Sequence, residues 1–228
     1  MNIEVLERGA FCSALVHLQP SEEFVSESGA MFRASSNIDI NVTTKSKGKG
    51  GLLGGLKRLL ASENFFFSTY KCNDGLPGEV GLAPTLQGDL MAVQCDGEAN
   101  WLCTGGSYLG SSAGLEIDTQ FQGLKGFLTG ESISFVKVSG KGVLLVSAFG
   151  RIVEYDLDGE LIVDTGHVVA YEDTLNYEPQ KAGASWVQSF LGGEGIVLRF
   201  SGKGRILVQS HNPKEFGSTF GKLLPPRK

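Results

Sequence analysis

Short apolar runs broken by glycine set the pattern of this chain, and several alternate with polar residues at a period of two. Ile38, Ile40 and Val42 stand opposite Asp39 and Asn41, the spacing of a strand with one face toward a core and the other toward water. Leu115-Glu116-Ile117-Asp118 repeats it, Val153, Tyr155 and Leu157 alternate with Glu154 and Asp156, and Ile206, Leu207 and Val208 form the last apolar run. The pattern predicts an all-β chain.

The strands recur in order. Ile38, Leu115 and Leu175 each open an alternating strand nine residues after a glycine: Gly29, Gly106 and Gly166. Equal offsets predict a repeated unit of turn, short strand, second turn and alternating strand. An apolar segment with an acidic residue follows each: GLKRLLASENFFFSTY from Gly55, GLKGFLTGESISF from Gly123 and SWVQSFLGGEGIVLRF from Ser185. Glu63, Glu131 and Glu194 mark these segments at intervals of 68 and 63 residues, long enough for a supersecondary unit and too irregular for a solenoid. Each is expected to lead into a strand pair. Gly140-Lys141-Gly142 and Gly202-Lys203-Gly204 read as its hairpin turns, because glycine supplies positive φ. In the first copy the longer Asn73–Gly78 takes that place.

Three such units cannot each bury a face alone, but around a common axis they share one core and cover most edges. The expectation is a single all-β domain over residues 1–224, built from three similar segments with pseudo-threefold symmetry. An insertion at 44–60 lengthens the first copy, and 225–228 form a tail.

Composition agrees with many tight turns: 32 glycines in 228 residues is about twice ordinary usage. A net charge of −5 disfavours a general nucleic-acid binder, whose affinity comes from neutralising phosphates. No apolar run approaches the roughly eighteen residues a membrane helix needs, and Glu4 and Glu7 stand where a signal peptide carries positive charge. The chain is expected to be cytoplasmic, at most peripheral to a membrane. Cys12, Cys72, Cys95 and Cys103 form no CxxC pair and read as buried, reduced thiols. Cys95 and Cys103, across an Asp-Gly-Glu-Ala-Asn turn, are the one pair placed for a disulfide, and none is expected.

Each motif that suggests chemistry lacks the context that chemistry needs. Gly110-Ser111-Ser112-Ala113-Gly114 is a literal G-x-S-x-G, but a nucleophile elbow joins a strand to a helix, and Leu115–Asp118 alternates like a strand. The histidines His17, His167 and His211 have no HxH or HExxH companion; Asp164-Thr165-Gly166-His167 reads as a hydrogen-bonded turn. Gly217–Lys222 has the flavour of a P-loop without its spacing or its hydroxyl after lysine. Phe65, Phe66 and Phe67 could stack bases, yet Trp101, Tyr108 and Trp186 have few basic neighbours. The insertion stands apart: Lys45, Lys47, Lys49, Lys57 and Arg58 occur with no acidic residue beside Leu52, Leu53, Leu56 and Leu60. Basic charge next to an apolar face suits a membrane surface or an acidic partner.

The runs PSEEFVSESGAMFRAS, GGLLGGLKRLLASENFFF, GLKGFLTGES, VDTGHVVAY and FLGGEGIVLRFSGKGRILVQS together resemble the mitochondrial-biogenesis (altered inheritance of mitochondria) family, from about Phe11 to Ser210. The resemblance implies a β-helix-like fold related to the tryptophan RNA-binding attenuation protein, with three similar segments per chain. It implies no activity and carries over no catalytic residue, because the bacterial members have no agreed function.

The function expected from the sequence is that of a non-enzymatic oligomeric β scaffold or binding protein. It needs no cofactor and no metal, and has no catalytic residues. A homo-oligomer is expected, a trimer before a dimer, because similar segments offer similar faces. Lys45, Lys47, Lys49, Leu52, Leu53, Leu56, Lys57 and Arg58 are the candidate contact with a membrane surface or acidic protein. The alternatives are a metal- or small-molecule-dependent enzyme of the double-stranded β-helix type, and an RNA-binding protein.

Overall fold

The computed structural model describes residues 1–7, 11–43, 66–119, 135–181 and 196–225. Strand β1 (Asn2–Leu6) precedes three successive copies of one strand unit. The first copy holds β2 (Ser13–Leu18), β3 (Glu23–Glu27), β4 (Met31–Ala34), β5 (Ile38–Thr43), β6 (Phe67–Cys72) and β7 (Gly78–Leu82). The second holds β8 (Leu90–Asp96), β9 (Trp101–Thr104), β10 (Tyr108–Ser112), β11 (Leu115–Asp118) and β12 (Phe135–Ser147). The third holds β13 (Ile152–Asp164), β14 (Val168–Glu172), β15 (Leu175–Lys181) and β16 (Ile196–Gln209), and α1 (Pro213–Gly221) follows.

The copies share register as well as order. The alternating strand pairs with the closing strand from the predicted residue in each: Ile38 opposite Cys72, Leu115 opposite Gly140, Leu175 opposite Gly202. The strand after the glycine turn carries a one-residue bulge at the same place every time. It falls at Phe32 between Met31↔Leu82 and Arg33↔Gly81, at Leu109 between Tyr108↔Val146 and Gly110↔Leu145, and at Val169 between Val168↔Val208 and Ala170↔Leu207. A bulge that recurs at one position belongs to the unit and is not a local irregularity.

Neighbouring copies are joined by a strand addition that recurs. β10 of the second copy adds to β3 of the first, Gly110↔Ser26, Ser111↔Val25 and Ser112↔Phe24. β14 of the third adds to β9 of the second in the equivalent register, Ala170↔Cys103, Tyr171↔Leu102 and Glu172↔Trp101. Among the described residues β4 and the second half of β13 do not pair with each other, so the recurrence stops short of a closed set of three junctions.

Three apolar clusters follow the copies. One gathers Phe24, Tyr70 and Leu145, a second Trp101, Phe67 and Tyr108, and a third Tyr171, Phe135 and Phe200. Aromatic edges meet faces within them, Phe67 on Tyr108 at 5.9 Å and Phe135 on Tyr171 at 5.5 Å, an arrangement that adds to simple area burial.

Three sequence expectations change. Gly140-Lys141-Gly142 and Gly202-Lys203-Gly204 are not hairpin turns: they lie inside the continuous strands β12 and β16. There Gly140 (φ 106°) and Gly202 (φ 118°) bend the strand as it passes from one set of partners to the next. Only the first copy breaks, between β6 and β7. Ile40 and Val42 alternate as predicted but remain exposed, with Ile38 alone of the three buried. The helix α1 is an addition to the all-β expectation, with Asn212 accepting from the Lys214 and Glu215 amides as N-cap and Pro213 at its first turn, where the missing proline N–H costs nothing.

Candidate functional site

The G-x-S-x-G stretch resolves into a structural position of the repeat. Gly110 lacks a side chain because a Cβ there would lie 2.5 Å from the Phe24 ring across the junction. Ser111 is buried and bonded to the Tyr108 hydroxyl at 2.8 Å. Ser112 Oγ accepts from the Val143 amide at 3.0 Å, and a Cβ on Gly142 would collide with that same oxygen. The other copies make the same bond. Ser35 Oγ accepts from the Glu79 amide at 3.0 Å, and Glu172 Oε2 from the Arg205 amide at 2.9 Å. A hydroxyl that can be replaced by a carboxylate in the same hydrogen bond serves the backbone and is not a poised nucleophile.

In the third copy this acceptor has grown into a small charged cluster. Arg205 Nε donates to Glu172 Oε1 at 2.7 Å, and its guanidinium lies 4.9 Å from the centre of the Trp101 ring. Glu172 and Glu154 hold the Arg205 guanidinium more firmly protonated, outweighing the opposing effect of its partial burial. The group pins the junction between the second and third copies through charge-assisted hydrogen bonds and stacking.

The histidines are spread over different elements. His167 Nδ1 is bonded to the Gln209 carbonyl at 2.8 Å, in a short 3-10 turn where Asp164 accepts from the Gly166 amide at 2.9 Å. His211 Nδ1 meets Ser210 Oγ at 2.8 Å beside the Phe149 ring. His17 sits on the outer sheet between Glu4 and Glu79, at 3.7 and 3.5 Å. Among the described residues no three His, Cys, Asp or Glu side chains converge as a metal site would require. All four cysteines are buried, and none is in a disulfide. Cys95 and Cys103 do not face each other across a hairpin, since they pair with Gly142 and Val136, separate residues of β12. Burial raises both thiols, Cys95 to about 11, so neither is a ready nucleophile.

Lys45, Lys47, Lys49, Leu52, Leu53, Leu56, Lys57 and Arg58 lie outside the described residues, as do Glu63, Glu131 and Glu194. Of the aromatics considered for base stacking, Phe67, Trp101 and Tyr108 are in the core.

Two features were not expected from the sequence. A cleft of about 310 Å³ opens beside the first junction, with Glu27, Thr104, Ser107, Phe149 and Gln209 in its lining. Desolvation raises the Glu27 carboxyl above its ordinary value. Nothing local in the sequence marks Glu27, because its surroundings come from segments far along the chain. The other feature is α1, none of whose residues is buried. Phe216 stacks on Phe149 at 4.9 Å and on Phe220 at 4.4 Å, while Phe220, Leu223 and Leu224 stay exposed. Asn212-Pro213 was its available signal.

A family model described as mitochondrial biogenesis AIM24 matches residues 3–211. An uncharacterized protein of Streptococcus pyogenes serotype M6 is 31% identical over 204 residues, spanning 87% of this chain and 81% of the relative. A crystal structure of a Streptococcus pyogenes protein superposes with a TM-score of 0.76 at 27% identity, covering 98% of this chain and 99% of the other. The superposition carries the fold through nearly the whole length, and the chain belongs to the mitochondrial biogenesis AIM24 family.

Proposed function

We propose that the chain is a non-enzymatic, oligomeric β scaffold that works by contact, and that the contact is with an anionic membrane surface. The observation that carries this is the exposed apolar surface of α1 and of the turn that follows it. Phe216, Phe220, Leu223 and Leu224 are all more than a third exposed, and Lys222 stands among them with Arg227 and Lys228 close behind in sequence. Apolar rings beside cationic side chains are the chemistry of an interfacial helix, and each lysine or arginine near an anionic surface contributes about 1 kcal/mol. The basic segment from Lys45 to Arg58 adds charge of the same sign. The side chains that suggested catalysis, Ser112, His167 and His211, are engaged in bonds that hold turns and strands.

Sedimentation with phosphatidylserine-containing vesicles tests the reading against neutral vesicles. The protein is expected to pellet with the anionic vesicles alone, and less so after Phe216→Ser with Phe220→Ser, or after Lys45, Lys47 and Lys49 are changed to Gln. No binding by the unaltered protein overturns the membrane contact. A second reading, a small-ligand binder, draws on the Glu27 cleft: a desolvated carboxyl among hydroxyls suits a small polar or cationic guest. A thermal-shift screen of amines and sugars, repeated on Glu27→Gln, checks it; stabilisation that survives the substitution counts against that cleft.

A further inference from the structure

Among the described residues, the two junctions between copies leave a third, matching pair of edges unpaired. At the first junction Ser112, Ser111 and Gly110 lie opposite Phe24, Val25 and Ser26, and the Ala113 amide donates to the Glu23 carbonyl at 3.1 Å. At the second, Glu172, Tyr171 and Ala170 lie opposite Trp101, Leu102 and Cys103, and the Asp173 amide donates to the Asn100 carbonyl at 2.8 Å. The equivalent donor strand in the first copy is β4. The equivalent receiving strand in the third copy is the second half of β13, where Leu161 and Val163 pair with Phe200 and Leu198 of β16. Among the described residues β4 pairs with β7 alone and β13 with β16 alone.

Exposure follows the same line. Phe32, at the bulge of β4, is 52% exposed, whereas Leu109 and Val169 at the bulges of β10 and β14 are 2% and 0% exposed. Ile162 is 56% exposed, whereas Leu102 at the same position of β9 is 5% exposed. Apolar side chains on uncovered sheet edges are what soluble proteins ordinarily avoid. Here the two uncovered edges are complementary by the rule that already joins the copies.

We propose that β4 of one chain adds antiparallel to residues 160–163 of a second copy, with Arg33 opposite Val163, Ala34 opposite Ile162 and Ser35 opposite Leu161, and the Ser36 amide donating to the Glu160 carbonyl. This names the contact behind the oligomeric scaffold proposed above and rests on that reading. The two surfaces differ, so the contact runs head to tail and satisfies every edge only by closing into a ring. A strand added to an open edge gains its affinity from main-chain hydrogen bonds and its selectivity from alternate side chains.

The test is the mass of the full chain in solution, by light scattering and sedimentation velocity, for the unaltered protein and for Phe32→Lys and Ile162→Lys. The unaltered protein is expected at two or more chains, and each variant alone at a lower mass. The two variants mixed are expected to form one-to-one pairs, because each keeps the edge the other has lost. A second measurement does not depend on tolerance of lysine. Ala34→Cys and Ile162→Cys chains, mixed under mild oxidation, are expected to give a covalent dimer that neither gives alone; the native thiols are buried. A single-chain mass for the unaltered protein overturns both this contact and the oligomeric reading. An assembly that neither lysine variant weakens, with no mixed crosslink, overturns the contact and leaves the oligomeric reading standing.

Discussion

Ser35, Ser112 and Glu172 occupy one position of the strand unit, and they differ in how much rests on it. Each accepts a main-chain N–H where the bulged strand meets the closing strand, from Glu79, Val143 and Arg205 in turn. At Ser35 no described strand pairs with the neighbouring edge. At Ser112 it is covered by β3, and at Glu172 the carboxylate also holds Arg205 against Trp101. The closing strands differ too: the first copy breaks at Asn73–Pro77, while the later two stay continuous and bend at Gly140 and Gly202. The backbone bonds are the constant of this fold, and side chains change around them according to how deeply each copy is enclosed.

The largest expected effect comes from forcing the third copy's closing strand to behave like the first. Gly202→Val places a β-branched residue at φ 118° with its Cβ 3.3 Å from the Thr174 carbonyl. It should cost about 3 kcal/mol in urea unfolding. Cys72 stands at the same position of the first copy without positive φ, so Cys72→Val should cost about 1 kcal/mol or less. Equal losses at the two sites would show that the bend is not what requires glycine.

Next come the acceptors. Glu172→Ala strands the Arg205 amide and leaves its guanidinium without its nearest carboxylate, about 2 kcal/mol given that Arg205 keeps some access to water. Ser112→Ala leaves one partly buried amide unpaired beneath the covering strand β3, about 1 kcal/mol. Ser35→Ala, on the open edge, should fall below about 0.5 kcal/mol as water takes the vacated bond. If the three losses measured by urea unfolding do not descend in that order, enclosure is not what distinguishes the copies.

The repeat itself was legible because glycine spacing and alternation are local. Gly29 and Gly106 adopt positive φ, and Ile38, Leu115 and Leu175 open their strands where the nine-residue offset places them. The Gly-Lys-Gly segments misled because positive φ serves a bend within a strand as well as a turn between two, and only the pairing partners tell these apart. The meaning of Ser112 became plain from Ser35 and Glu172 once the bulges fixed the register. The Glu27 cleft was invisible in the sequence, since Gln209 and Phe149 reach it from distant segments. The apolar character of Phe32 and Ile162 could be read directly, but their lack of cover could not.

The last and smallest effect concerns the end of the receiving strand, where Glu27, Thr104 and Asp164 are equivalent. Thr104 Oγ1 donates to the Val168 carbonyl at 2.8 Å and Asp164 accepts from the Gly166 amide at 2.9 Å, whereas Glu27 is half-buried in the cleft and its carboxyl is raised by desolvation. A raised folded-state value means that the native protein holds this proton more tightly than the unfolded chain does. The stabilisation is therefore complete below the ordinary glutamate value, about pH 4.3, and is lost as pH rises through the higher folded value. Glu27→Gln keeps the shape and removes the titration. Unfolding free energies measured from pH 4 to pH 7 should show the unaltered protein losing stability relative to the variant across the lower part of that range, with a constant difference above it. A difference that does not change with pH would mean that Glu27 titrates alike in the folded and unfolded chain, and that the cleft wall is as well solvated there as the open edge of β4.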